Sequence, residues 1–191
     1  NAEALWQLTY SDHLSEGGSI NKYRAEIEKA ANLASKSGDQ AFSHYILAQY
    51  ASNQNNHDLA LLEIDKAIAL DPSSVRYLRT KMIMTYSKTS AIKSRDLVLE
   101  ALSTGDKALD LIEKDPKKYF TKGTLHFELG RWLPGYNTEF RELRIKHFEK
   151  AIEAGGISKI TISHSWNNMS STLNQLGRCE EAKNAAEKAL A

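Results

Sequence analysis

The sequence predicts an all-α protein made of antiparallel helix pairs stacked as a solenoid, without one central core. Three observations carry that expectation. His44, Leu47, Ala48, Ala51, Ala60, Ile64, Ala67 and Ile68 recur 122 residues later as Trp166, Met169, Ser170, Leu173, Ala182, Ala186, Ala189 and Leu190. Apart from His44 against Trp166, each position keeps its approximate size class, and such self-similarity marks a repeat architecture. The small residues sit at fixed offsets between larger apolar ones, as two closely approaching helices require. Finally, the composition is 41% hydrophobic with only three prolines, which favours helices over turns and strands.

Five units of one helix pair each are expected, spanning about 3–39, 40–73, 74–115, 116–158 and 159–191 as a single domain. The first is traced from Leu5 through Leu14, then Ile27, Ala30 and Ala31, with Gly17-Gly18 as a turn. The second is the clearest. Phe42 to Ser52 has helical periodicity, and Asn53-Gln54-Asn55-Asn56 breaks it because clustered Asn favours turns. Asp58 is the expected cap of a helix over Leu59 to Leu70, which Asp71-Pro72 stops, since proline disfavours helix at the residue before it. Ala48 and Ala60 let the two backbones approach, while Leu47, Ile64 and Ile68 fill the remaining space.

The third unit is longer, with helices expected near Val75–Tyr86 and Arg95–Glu113 and Leu111 in place of a small residue. The fourth places Tyr119, Phe120, Gly123, Leu125, Phe127 and Gly130 on its first helix, with Gly123 in the position of Ala48. Its second helix ends in Phe148, Ala151 and Ile152, and Arg144 stands where a small residue is expected, so that helix crossing is in question. The fifth repeats the second. The separation between the two clear copies exceeds three periods of ~34 residues by about twenty. About seven of these fall before Gly123 in a longer second helix. About nine fall after Gly130, aligned with Gly177, in a segment holding Trp132, Leu133, Pro134, Gly135 and Tyr136. About four fall near Gly155–Ser163.

The pattern resembles the tetratricopeptide repeat, W-x2-L-G-x2-Y followed by Ala, an aromatic, Ala and Pro. Trp166, Met169, Ser170, Leu173, Gly177, Ala182, Ala186 and Ala189 match it best, and Leu176-Gly177-Arg178-Cys179-Glu180-Glu181-Ala182 is close to the family's inter-helix turn. The resemblance implies a right-handed superhelix whose first helices line a concave groove, and a function in binding a protein or peptide there. In the second unit the groove-facing candidates are Phe42, Tyr45, Ile46, Gln49 and Asn53; in the fifth they are His164, Asn167, Asn168, Ser171, Asn174 and Gln175; Arg76 and Arg79 come from the third. Asn and Gln can both donate to and accept from an extended backbone, and Tyr45 offers a rigid aromatic face. Chaperone-binding members grip a C-terminal carboxylate with basic residues and asparagines; Tyr45 and Gln49 stand in those places here, so that ligand is not expected.

Trp132 and Tyr136 mark a second recognition candidate, because insertions in repeats decorate one face. The alternative is that Trp132 and Leu133 fold back over a gap in the stack. The final helix reaches Ala189-Leu190-Ala191, and its alanines would leave an apolar strip, so self-association or further sequence is expected.

Other functions find little footing. Lys+Arg number 25 against 24 Asp+Glu, so there is no basic excess of the kind nucleic acid selects. No apolar run approaches the ~20 residues that span a bilayer, and no secretory signal pattern is present. The chain begins with Asn rather than Met, which is expected of a processed or excised protein, and Asn1-Ala2 reads as the scar of a cleaved tag. Cys179 is the single cysteine and says nothing of compartment. The six histidines are dispersed, in no H-E-x-x-H context, so neither metal nor cofactor is expected. Glu180 and Glu181 point about 100° apart on a helix and read as a solvated helix start, not a catalytic pair. Asn168-Met169-Ser170 fits a glycosylation sequon, but Met169 is expected to be buried. The function expected is therefore a scaffold or adaptor; the alternatives are a recruiting or regulatory segment of a larger enzyme or secretion assembly, and a homo-oligomerisation element.

Overall fold

The computed structural model describes residues 1–190 except Gly18 and residues 117–119, and the side chains of Glu16 and Ala91 are not described. Tyr119 of the fourth-unit pattern and Ala191 therefore lie outside the described residues. Ten α-helices are found among those described: α1 Ala2–Glu16, α2 Arg24–Lys36, α3 Gln40–Asn53, α4 His57–Leu70, α5 Val75–Ile92, α6 Arg95–Lys114, α7 Lys122–Trp132, α8 Thr138–Ala154, α9 Lys159–Gln175 and α10 Cys179–Leu190. A short 3-10 turn, Ile20–Tyr23, precedes α2. None of these helices is long and apolar enough to cross a membrane.

Side-chain oxygens start most of the helices, satisfying the free N–H groups of the first turn. Asp39 accepts from Phe42 N, Ser94 from Leu97 N, Asn137 from Phe140 N and Ser158 from Thr161 N. Asn56, not Asp58, caps α4 through Leu59 N. Asp58 instead lies in the first turn, where its charge favours the helix dipole. The helix α5 runs six residues past Tyr86, because Ser87 to Ile92 holds neither Gly nor Pro to stop it. The fourth unit's first helix begins only at Lys122, after the Thr121 cap, so Phe120 lies before it.

The backbone contacts divide the chain into two compact units, Asn1–Thr85 and Tyr86–Ala191. In the first, Trp6, Tyr23, Ile27, Ala30, Phe42 and Ile46 form one core, and Ala48, Ala60, Ile64, Ala67, Tyr77 and Met84 form the next. Ala48, Ala60, Ile64 and Ala67 have no exposed surface, as the repeat requires. In the second unit, Ile145, Phe148, Met169, Leu173, Ala182 and Ala185 pack together.

Two expectations are corrected here. Ala108, fully buried, is the close-packed small residue of α6, while Leu111 is half-exposed one helical step away. In α10 it is Ala185 that is buried and Ala186 only partly so. The crossing of α7 and α8 survives Arg144 because the facing helix is cut back to glycine. A Cβ on Gly123 would meet the carbonyl oxygens of Gly155 at 2.1 Å and Ala151 at 2.9 Å; one on Gly130 would meet the Phe148 ring at 2.9 Å. Gly130 is thus a helical contact residue, whereas Gly177, with φ 76°, makes the left-handed turn between α9 and α10.

Candidate functional site

In the first unit the expected groove residues separate by the helix face they occupy. Phe42 and Ile46, expected to face the groove, are 5% and 0% exposed and pack into the core built on α2. A first helix must bury one side against the preceding pair, and these two residues supply it. Tyr45 stays half-buried on the other side. Its ring stacks on Phe42 at 5.7 Å between centroids and leans on Tyr77 at 5.5 Å. Gln49 Nε2 donates to the Tyr45 hydroxyl at 3.1 Å, and Asn53 Nδ2 donates back to the Gln49 carbonyl at 2.8 Å. These three residues run down one stripe of α3 at helical spacing, each tied to the next. A peptide in contact with them competes with neutral hydrogen bonds, which have a net worth of about 1 kcal/mol each.

Arg76, in the first turn of α5, is held at 3.0 Å by Glu3 of α1, 73 residues away in sequence. Arg79 is half-buried one turn further on. Tyr77, between them in sequence, is 7% exposed, and its pKa is pushed up to about 12, first by burial and then by the charge of Asp39, with Arg76 opposing. The residues absent from the sequence-based set are thus Tyr77 and its acidic neighbours Asp39 and Asp71. Tyr45 and Tyr77 stand close to one repeat period apart, a signal present in the sequence.

In the compact unit Tyr86–Ala191, His164, Asn167 and Ser171 are exposed and Asn168 is half-buried on α9, forming a polar stripe opposite buried Met169 and Leu173. Asn168 Nδ2 donates to the His164 carbonyl at 2.8 Å. Met169, the middle residue of the glycosylation sequon, is buried as expected. The segment after α7 divides. Leu133 is 2% exposed and closes over the helix pair, while Trp132, the last residue of α7, is 37% exposed with the Arg131 guanidinium 5.6 Å from its ring. Tyr136 is 38% exposed and meets Phe140 edge to face. Arg141 Nε, donating to the Gly135 carbonyl at 2.8 Å, ties the segment to α8. The two aromatics are therefore presented on an anchored backbone.

Among the described residues no three His, Cys, Asp or Glu side chains converge as metal ligands. Two histidines do approach one another, His126 and His147, whose Nδ1 atoms lie 3.1 Å apart. This is the geometry of a hydrogen bond, with one ring donating and the other accepting.

Comparison with known proteins agrees with the repeat. The tetratricopeptide repeat family model matches residues 43–74 and 163–191, the two stretches from which the period was read. No curated protein matches the sequence. Among solved structures, a thermophilic TPR protein of Thermus thermophilus aligns over 100% of this chain and 90% of its own, at 16% identity and a TM-score of 0.66. BtubC from P. vanneervenii aligns over 98% of this chain and 85% of its own, at 12% identity and a TM-score of 0.66. MamA aligns over 88% and 90%, at 14% identity and a TM-score of 0.62. At these identities the likeness is one of fold. Residues 43–74 and 163–191 are tetratricopeptide repeats, and the chain has the all-α fold of helix pairs that such repeats build.

Proposed function

We propose that this chain, with tetratricopeptide repeats at 43–74 and 163–191, is a protein-interaction scaffold that binds a peptide or helix of its partner. The observation that carries this reading is the polar and aromatic dressing of the first helices. Buried apolar residues hold α3 and α9 in place, while Tyr45, Gln49 and Asn53 on one, and His164, Asn167, Asn168 and Ser171 on the other, are left at or near the surface. Side chains ordered before binding lose less entropy when a partner arrives, so the surface is preorganised. Arg76 and Arg79 on α5 extend the set in the first unit, and Trp132 and Tyr136 offer a separate aromatic contact in the second. Aromatic residues of this kind are enriched where partners bind.

Affinity capture with the wild-type chain against the Tyr45→Ala/Asn168→Ala double variant tests the reading. Reduced recovery of co-purifying protein is expected from the variant, with unchanged helical content by circular dichroism. Equal recovery from both would overturn the assignment of these surfaces.

A further inference from the structure

A cleft of about 400 Å³ opens between the turn that leads into α3 and the turn that leads into α5. Asp39, Asp71 and Tyr77 line it, with Ala41 and Leu70 supplying apolar wall. Each carboxylate is fixed by a backbone N–H. Asp39 Oδ1 accepts from Phe42 N at 2.9 Å, and Asp71 Oδ1 accepts from Ser73 N at 3.2 Å and from Ser73 Oγ at 2.9 Å. In both residues the second oxygen is unused, and neither has a cationic partner among the described residues. Tyr77, more than nine-tenths buried, makes ring contact with Tyr45, but its hydroxyl has no hydrogen-bond partner among the described residues.

We propose that this cleft receives a primary ammonium group, the side chain of a partner lysine. A lysine ammonium has three N–H donors and no acceptor. The cleft offers three acceptors, two carboxylates and one phenolic oxygen, with apolar surface for the butyl stem. The charge balance favours a cation. The α3 and α5 N-termini contribute about half a positive charge each, which leaves the two aspartates in excess, and Arg76 is matched by Glu3. An arginine would bring a planar fork that wants paired, in-plane acceptors, whereas the three donors of an ammonium rotate to meet separate oxygens. The inference rests on the reading of the first unit as a peptide-binding surface and names the partner chemistry it takes.

Titration of the whole chain with acetyl-Ala-Lys-Ala-amide, followed by amide and Tyr77 ring shifts in NMR, tests the proposal. Saturable shifts at residues 38–41 and 70–77 are expected. The Lys→Gln version of the peptide should produce none, and the Lys→Arg version should bind more weakly. Asn can replace Asp at a cap with its hydrogen bond retained, so Asp39→Asn/Asp71→Asn should keep the fold and bind the lysine peptide about tenfold more weakly. Tyr77→Phe should weaken binding with the ring still in place. Equal binding of the glutamine peptide, tighter binding of the arginine peptide, or undiminished binding by the two variants would overturn the proposal. So would Mg²⁺ shifting these residues while the lysine peptide does not. Partner recovery that depends on Tyr45 and Asn168 without any lysine response would reject the cleft alone. A lysine response with recovery indifferent to Tyr45 and Asn168 would reject the larger surface alone.

Discussion

Nδ1 of His44 lies 2.7 Å from Oε2 of Glu63, joining the two helices of the second unit at the position where the repeated pattern carries tryptophan in the fifth. Glu63 is 7% exposed, and its other oxygen accepts from Lys66 Nζ at 2.7 Å. A polar contact thus occupies a site where the other clear copy uses an aromatic ring. Removing one partner leaves a desolvated carboxylate less satisfied. His44→Ala should therefore cost about 1–3 kcal/mol in urea unfolding, more than the ordinary worth of a hydrogen bond.

The same carboxylate shapes the acid limb of stability. Burial raises the Glu63 pKa, but the hydrogen bonds from Lys66 and His44 outweigh it and hold the group below its ordinary 4.5. The unfolded chain then takes up the proton first. Glu63 contributes stability above pH 4.5 that is lost as pH falls through its lowered value. Thermal unfolding across that range should show a shallower acid decline in Glu63→Gln than in wild type.

His126 and His147 act over a higher window. Burial, reinforced for His147 by His126 and for both by Lys150, lowers each to about 4 from 6.5. Between those values the unfolded chain binds more protons than the folded one, so stability falls as pH drops from about 6.5 towards 4. His126→Leu/His147→Leu should flatten the melting temperature over this interval. A decline as steep as in wild type would assign it to other groups.

The glycines of α7 set the spacing to α8. Gly123→Ala drives a Cβ into backbone oxygens at 2.1 and 2.9 Å, whereas Gly130→Ala meets side-chain atoms of the Phe148 ring at 2.9 Å and no backbone. Overpacking of this kind costs about 1–3 kcal/mol or more, and Gly123→Ala should lower the denaturation midpoint further than Gly130→Ala.

Ala60 sets the corresponding spacing in the second unit, where it is fully buried against α3. Ala60→Leu should cost about 1–3 kcal/mol in chemical denaturation. Leu62→Ala, on the exposed side of the same helix, should stay within about 0.5 kcal/mol.

Positions that depend only on chain periodicity were readable from the residues. Ala48, Ala60, Ile64 and Ala67 are buried as their spacing requires, and Met169 and Leu173 likewise. Breaks in the helices followed the Asn cluster at 53–56, Asp71-Pro72 and the Gly177 turn, because each residue type there biases its own backbone. Where two helices meet, local pattern was silent. Nothing in the spacing of Phe42 and Ile46 told that the preceding pair would cover them, and nothing around Arg144 told that Gly123 and Gly130 would make room opposite. Gly130 aligns with Gly177 in the repeat, yet one packs inside a helix and the other makes a turn, because a glycine serves a close helix contact and a turn through the same missing Cβ.

By itself the amino-acid order determined the repeat, its period, the helix pairs and, in the second repeat, the buried Ala48, Ala60 and Ala67, since these follow from spacing along the chain. Tertiary structure decided which surface each first helix keeps. It brought Glu3 to Arg76 across 73 residues, leaned Tyr77 on Tyr45, and placed Asp39 and Asp71 around one cleft. Those relationships join different helix pairs, and their geometry depends on how the pairs pack together rather than on any single stretch of sequence.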